Sequence, residues 1–329
     1  MKKEMFGHEI TVLRDTFRRL LRRHAKINIV RLIDKTHPAD LALIYRHFND
    51  DEQKMLFDMM DATEETAEFI SELDDSIISN LLEDETPQRI SSIIREAGSN
   101  DQAFILGLLP EELSRAVMEL MKEEEQAELE EIMSYPEDSA GSLMYTDVFT
   151  LHENTLASEA IAALQSFEKA EMVFYLYVTD EEGQLSGVIS LRDLVTTPPD
   201  SALKEIMIKH VYSVRPETDQ EEVAKIVSRY NYLAVPVLDV DNHILGIVTV
   251  DDVVDVIREE ATEDFLQMAG VGKDREILLK SSWGNAKSRL PWLFASLIGG
   301  ITAALIIGIF EEMLETWLIL AAFIPVIIG

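Results

Sequence analysis

The stretch PVLDVDNHILGIVTVDDVV, Pro236–Val254, has an earlier counterpart in YVTDEEGQLSGVISLRDLV, Tyr177–Val195. Gly246 aligns with Gly187, Thr249 with Ser190 and Asp252 with Asp193. Upstream, TDQEEVAKIV (Thr218–Val227) matches TLASEAIAAL (Thr155–Leu164). Each copy reads helix, strand, acidic turn, strand, helix. One such unit leaves a sheet face uncovered, so the two are expected to pair.

The second copy runs into DDVVDVIREEATED, Asp251–Asp264, which has helical periodicity. Val253, Val254, Val256, Ile257 and Ala261 form an apolar side. Asp252, Asp255, Glu259 and Glu263 lie opposite, with Asp251, Glu260 and Asp264 beside them. Carboxylates three and four residues apart are neighbours, and each such pair costs roughly 0.2–0.5 kcal/mol in an isolated helix. Arg258 is the nearby cation. Two readings stand: a solvated acidic face, or a surface that takes a basic partner or divalent cations.

Further on, Gly270 and Gly272 are expected breakers, and Lys280, Lys287 and Arg289 precede an apolar run. Residues 290–310 carry no charge. About 21 residues make roughly 31 Å of helix, enough to cross a bilayer. Glu311, Glu312 and Glu315 end the run. Cations on its N-terminal side place that side in the cytoplasm. A second apolar run begins at Thr316–Trp317 and reaches Gly329, too short to span, so the chain is read as cut short.

Before the repeats, Thr11–Ile27 reads as a basic amphipathic helix. Val12, Leu13, Phe17, Leu20 and Leu21 are its apolar residues; Arg14, Arg18, Arg19, Arg22 and Arg23 are its cations. It suits a membrane surface or the chain's own acidic body. Residues 28–133 read as helices joined by tight turns, a short superhelix of stacked hairpins. Pro38, Pro87 and Pro110 are placed in first helical turns, and Asn49 opens a helix with acids behind it. His24, His37 and His47 have no second ligand at metal spacing and read as packing or surface residues.

The whole chain has 329 residues, a formal charge of -32 and no cysteine. The length suggests two or three domains. Lack of cysteine excludes disulfides and thiolate chemistry. The acidity argues against a nucleic-acid partner and favours cations. No Gly-rich phosphate loop and no catalytic set emerges, so an enzyme is not expected. The start, Met1-Lys2-Lys3-Glu4, is not followed by an apolar core and does not read as a signal peptide.

The repeated unit resembles a CBS domain, and two in tandem resemble the usual CBS pair. YPEDSAGSLM (Tyr135–Met144), DQEEVAKIV (Asp219–Val227), GIVTVDDVVDVIREEATED (Gly246–Asp264) and FIPVIIG (Phe323–Gly329) together resemble the MgtE family of magnesium channels. The resemblance implies a multidomain fold. An all-α superhelical N-terminal domain (1–133) precedes an α/β tandem CBS pair (134–256, with units of about 137–198 and 199–256). A long acidic connecting or plug helix (251–282), a transmembrane helix (290–310) and the start of a second (316–329) follow. It further implies a homodimer in the plasma membrane, contacting lipid, with its N-terminal and CBS domains cytoplasmic. They would sense Mg2+ and gate a pore through the plug helix.

Carried over residue by residue, the resemblance implies Mg2+ ligands at Asp252, Asp255, Glu260, Glu263 and Asp264, at Asp219 and Glu221, and at Asp74 and Asp75. Asp219 and Glu221 also suit a helix N-terminus by charge alone. Asn231 and Ile78 stand where relatives often carry acids, which weakens the outermost N-domain sites. Gly-x-x-Ser/Thr-x-x-Asp, at Gly187-Ser190-Asp193 and Gly246-Thr249-Asp252, resembles the adenine-nucleotide motif of CBS domains. ATP or another adenine nucleotide would then meet Arg192 and Asp193, with Tyr175 and Tyr232 stacking on the base. The Ser or Thr could equally cap the helix that follows. The competing function is a membrane-tethered CBS module that senses adenine nucleotide, its acids only solubilising.

Overall fold

The computed structural model describes residues 2–167, 174–268 and 282–309, in two units, Met1–Ile257 and Arg258–Gly329. The first unit opens with ten helices: α1 (Lys2–Arg22), α2 (Lys26–Ile33), α3 (Pro38–Tyr45), α4 (Asp50–Phe57), α5 (Glu64–Ser71), α6 (Asp75–Leu82), α7 (Pro87–Ile94), α8 (Ser99–Leu108), α9 (Glu111–Met118) and α10 (Glu123–Ser134). Most have eight residues, too short to be stable alone in water, so packing must hold them. Caps set their starts. Asn49 and Glu52 form a capping box, and Thr86 accepts from Arg89 N with Pro87 at the first helical position. Pro110 itself is the N-cap of α9, one residue ahead of the expected place.

The odd-numbered helices pack in a row, α1 on α3, α3 on α5, α5 on α7 and α7 on α9, while α6 packs on α8 and α8 on α10. This is the expected stack of helical hairpins. Phe17, Leu41, Tyr45, Phe57, Phe69, Ile78, Ile90 and Leu106 fill it. The basic helix α1 belongs to this core through buried Phe17 and Leu21. Its Arg18 donates to His47 O at 2.7 Å and lies over the Phe48 ring. The helix therefore packs its apolar side on its own domain.

The repeats follow as α11 (Ala140–Leu143), β1 (Thr150–His152), α12 (Ala157–Gln165), β2 (Tyr175–Thr179), β3 (Leu185–Ser190), α13 (Leu191–Thr196), α14 (Leu203–Ile206), α15 (Gln220–Tyr230), β4 (Ala234–Leu238), β5 (Ile244–Thr249) and α16 (Val250–Met268). β2 and β3 are antiparallel, as are β4 and β5, and both hairpins shift register at matching places, Val178/Thr179 and Val237/Leu238. β1 runs parallel to β2, and Val214 takes the same place beside Val237. The sequence reading did not include this extra strand position.

The two repeats exchange their leading segments. Tyr145, which leads into the first repeat, bridges Ile247 of the second; Ile208, which leads into the second, bridges Val188 of the first. The aligned glycines have their physical reason here. A Cβ on Gly246 would lie 2.6 Å from Tyr145 O, and one on Gly187 would lie 2.8 Å from Ile208 O. Only glycine lets the crossing backbone come so close.

The cores are unevenly shared. Val223, Val235, Val248, Val253 and Val256 of the second repeat join one continuous core with the N-terminal helices. The first repeat has its own, built on Phe149, Leu176, Val178, Ile189 and Leu194.

The second unit contains the rest of α16 and α17 (Ser282–Ile309), a helix of 28 residues that exposes Leu293, Phe294, Leu297 and Ile301. Among the described residues no helix is long and apolar enough to cross a membrane. The span expected over 290–310 is thus not shown, and its last residue, 310, lies outside the described residues, as do part of the connecting region (269–281) and the second run (316–329).

Candidate metal and nucleotide sites

α16 starts where β5 ends, and Thr249 at that junction donates its hydroxyl to Asp252 Oδ2. Asp252 Oδ1 accepts from Asn100 Nδ2 at 3.2 Å. Asn100 lies in the first turn of α8, so the N-terminal domain touches the root of the acidic helix through this pair. Burial pushes the Asp252 carboxyl up to about 7, with Asp251 and Asp101 adding repulsion and the Thr249 hydroxyl opposing it.

Asp101, next to Asn100, is also raised, first by burial and then by the charges of Asp251 and Asp255. The Ser71 hydroxyl donates to Asp101 Oδ2 at 2.8 Å and partly offsets this. Tyr145 lies in the same place, its phenol raised by burial and then by Asp252, Asp101 and Asp251. Every charge acting on Asp101 and Asp252 in this way is a carboxylate. Among the described residues, Asn100 Oδ1 and Asp74 Oδ2 are buried oxygens with no hydrogen-bond partner.

An all-oxygen set with excess negative charge suits a hard cation such as Mg2+, which uses one or two carboxylates and keeps several waters. Asp101, Asp252, Asp255 and the amide oxygen of Asn100 are the groups that would hold it, and it would offset the repulsion among the carboxylates.

The other expected ligands are placed as follows. Asp74 is the N-cap residue of α6 and Asp75 its first residue. Asp219 caps α15, accepting from Glu221 N at 2.8 Å, and Glu221 pairs with Lys225 at 3.1 Å. Those two residues have sufficient local reasons to be acidic. Glu260, Glu263 and Asp264 lie on α16 beyond Ile257, in the second unit. Sequence reasoning missed Asn100, Asp101 and Tyr145. The one local signal was the polar run Ser99-Asn100-Asp101 after Gly98, which by itself reads as a helix start.

In the first repeat, Tyr175 is the cross-strand partner of Ser190. Ser190 Oγ accepts from Asp193 N at 3.1 Å and donates to Asp193 Oδ2 at 2.7 Å, so the hydroxyl caps α13. Arg192 and Asp193 remain exposed. Tyr175 OH accepts from Leu233 N at 3.5 Å, which brings in the neighbouring Tyr232. Tyr232 stacks with Tyr230, which stacks with Tyr212. Aromatic faces thus lie where the repeats join, and the exposed Arg192 and Asp193 follow Ser190, the cross-strand partner of Tyr175; residues of these kinds can stack on a base, meet phosphate and bond a ribose. The matching residue of the second repeat, Asp252, is instead taken by Asn100.

The family "MgtE intracellular N domain" matches residues 36–138, and "CBS domain" matches 140–199 and 203–259. The magnesium transporter MgtE of Bacillus subtilis is 33% identical over 312 residues, covering 94% of this chain and 69% of that protein. That of Enterococcus faecalis is 41% identical over 207 residues, 63% of this chain. The chain spans 45% of the Enterococcus protein and 47% of a Thermus thermophilus relative. A crystal structure of the cytosolic domain of the Mg2+ channel MgtE in complex with ATP has a TM-score of 0.70 at 31% identity, covering 74% of this chain and 99% of that one. The soluble part of a magnesium transporter gives 0.67 at 29% identity, covering 77% and 99%.

Proposed function

The chain belongs to the MgtE family of magnesium transporters, and from that premise we propose that it is the sensing part of a Mg2+ channel subunit. The observation that carries this is the meeting of Asp101 and Asn100 with Asp251, Asp252 and Asp255 at the root of α16. Like charges held together in partial burial store repulsion, and a divalent cation relieves it. High Mg2+ then favours the docked arrangement of α8 on α16, and low Mg2+ favours separation. The ion shifts this balance only as far as it binds one state better than the other.

Asp252 and Asp255 are the first ligands in this reading, with Asp101 joining them. Asp74, Asp75, Asp219, Glu221, Glu260, Glu263 and Asp264 extend the ion-binding faces along the N-terminal domain, the CBS pair and the connecting helix. The domain limits are those read from the sequence, 1–133, 134–256 and 251–282, with spans at 290–310 and from 316. The subunit is a homodimer in the plasma membrane with residues before 290 cytoplasmic, and it performs no catalysis. Protease resistance in Mg2+ against NaCl at matched ionic strength tests the sensor. Screening depends on ionic strength alone, so equal protection by both salts excludes it.

A second reading, an adenine-nucleotide sensor, is favoured by Tyr175 beside Leu233 and Ser190, by the exposed Arg192 and Asp193 that follow Ser190, and by a similar cytosolic domain crystallised with ATP. It is compatible with the first. It stands alone if ATP, and not Mg2+, changes the protease pattern.

A further inference from the structure

The acidic turns of the two repeats are built alike. Asp180 Oδ1 accepts from Glu182 N and Gln184 N, and Asp239 Oδ1 accepts from Asp241 N and His243 N. Gly183 and Asn242, at equivalent places, both have positive φ. The turns also touch each other. Gln184 bridges His243, and Leu185 N donates to Asn242 O at 3.0 Å.

One difference between the turns brings in a titratable side chain: His243 stands where the first repeat has Gln184. Nδ1 of His243 lies 3.1 Å from Asp239 Oδ2, and Nε2 lies 3.2 Å from the carbonyl oxygen of Glu182. Both partners only accept hydrogen bonds. A neutral imidazole has one N–H and can satisfy one of them; the imidazolium satisfies both. We infer that His243 is a proton-dependent tie between the two CBS repeats, fastening the second repeat's turn to the first when both ring nitrogens carry hydrogen.

The surroundings agree. Asp239 and Asp241 are the acids on its own turn, and the Asp239 hydrogen bond, followed by that to Glu182 O, raises the His243 pKa above its ordinary value. Asp180, on the facing turn, is engaged by its own backbone, and Glu181 and Glu182 there are exposed. Arg215 donates to Leu238 O and to Asn242 Oδ1, two bonds that do not titrate in this range. Oxygen and nitrogen atoms of Asp239, Asp241 and His243 that could meet a metal lie within 4.8 Å of one another. The hydrogen bonds already use both Asp239 oxygens and both ring nitrogens, so a proton is the occupant we assign.

A raised histidine pKa means that the tie is complete below about 6.5 and is lost as pH rises through the raised value. The chain has no cysteine, so spin labels at Glu181→Cys and Val240→Cys, both exposed, report the separation of the turns in the full chain. The parent should give a narrow distance distribution at about pH 5.5 and a broader population that grows toward about pH 8.5. His243→Gln should remove the pH response. Asp239→Asn keeps the turn's accepting oxygen but sets an amide N–H opposite Nδ1, so neutral His243 can accept there and still donate from Nε2 to Glu182 O; the narrow population should then persist at about pH 8.5. A parent distribution unchanged between the two pH values, or a response surviving in His243→Gln, overturns the inference. So does loss of the narrow population on adding a chelator at fixed pH, because a metal ion would then join Asp239 to His243.

Discussion

Replacing Asp252 with Asn should free docking of the N-terminal domain from Mg2+. In the docked state the Asp252 carboxyl is raised to about 7 by burial and by Asp251 and Asp101. With α8 lifted away, Asp252 regains water and an ordinary value near 4. That difference destabilises the docked anion by roughly 4 kcal/mol at most, at about 1.4 kcal/mol per pH unit. Asp252 is half-buried, and solvent screening brings the expected figure to about 2 kcal/mol, roughly a thirtyfold change in the docked-to-open ratio. The docked state holds the proton more tightly. Docking without Mg2+ should therefore be strongest below about pH 4, weaken as pH rises toward about 7, and stay level above it.

Energy transfer between dyes at Leu120→Cys and Val240→Cys, both exposed, can follow docking within the first unit. At about pH 8 the parent should need Mg2+ to close, while Asp252→Asn should be largely closed without it. The Asn variant should also lose most of the pH dependence between about 4 and 7. An unchanged Mg2+ midpoint together with an unchanged pH profile in Asp252→Asn would refute the stored-repulsion argument.

Gly246→Ala places a Cβ 2.6 Å from Tyr145 O and should cost about 1–3 kcal/mol, read as a lowered Tm of the first unit; an unchanged melt would contradict the crossing geometry. Asp193→Asn should weaken ATP binding about tenfold or more in calorimetry, the scale of a lost charged hydrogen bond, while Mg2+-dependent protease protection without nucleotide persists. Light scattering of the chain in excess Mg2+ should give a dimer mass, and a strictly monomeric mass at high concentration would count against pairing of the CBS units.

The repeats were legible because their pattern is local: Asp180 and Asp239 open matching turns, and Ser190 and Thr249 end matching strands. The helical stack was legible from its caps at Asn49 and Thr86. Asp101 was not. It lies about 150 residues from Asp252 in the chain, and a lone Asp early in a helix has an adequate local reason to be there. The glycines were read through a ligand motif, whereas the close backbone at Tyr145 and Ile208 already requires them. A three-residue strand such as β1 carries too few residues for alternation to show.

The exchanged strand gives the proposed sensing site at the root of α16 a mechanical connection. Tyr145 follows the last N-terminal helices and enters the sheet of the second repeat, with N–H and C=O both bonded to Ile247. One residue on, Thr146 takes Ser99 Oγ as a partner at 3.0 Å and donates to Glu128 on α10. The chain leaving the N-terminal domain is thus fastened to α8 and to β5 at once, and β5 leads directly into α16. Asn100 and Asp101 follow Ser99 on α8, and Asp251 and Asp252 follow Thr249 at the end of β5. Repulsion between these two short segments therefore acts on a junction of three elements: α8, the crossing strand and α16. Among the described residues the first repeat has a separate core, and Tyr175 of the proposed nucleotide face reaches the start of α16 through Leu233, whose N–H donates to Tyr175 OH and whose C=O accepts from Val250 N.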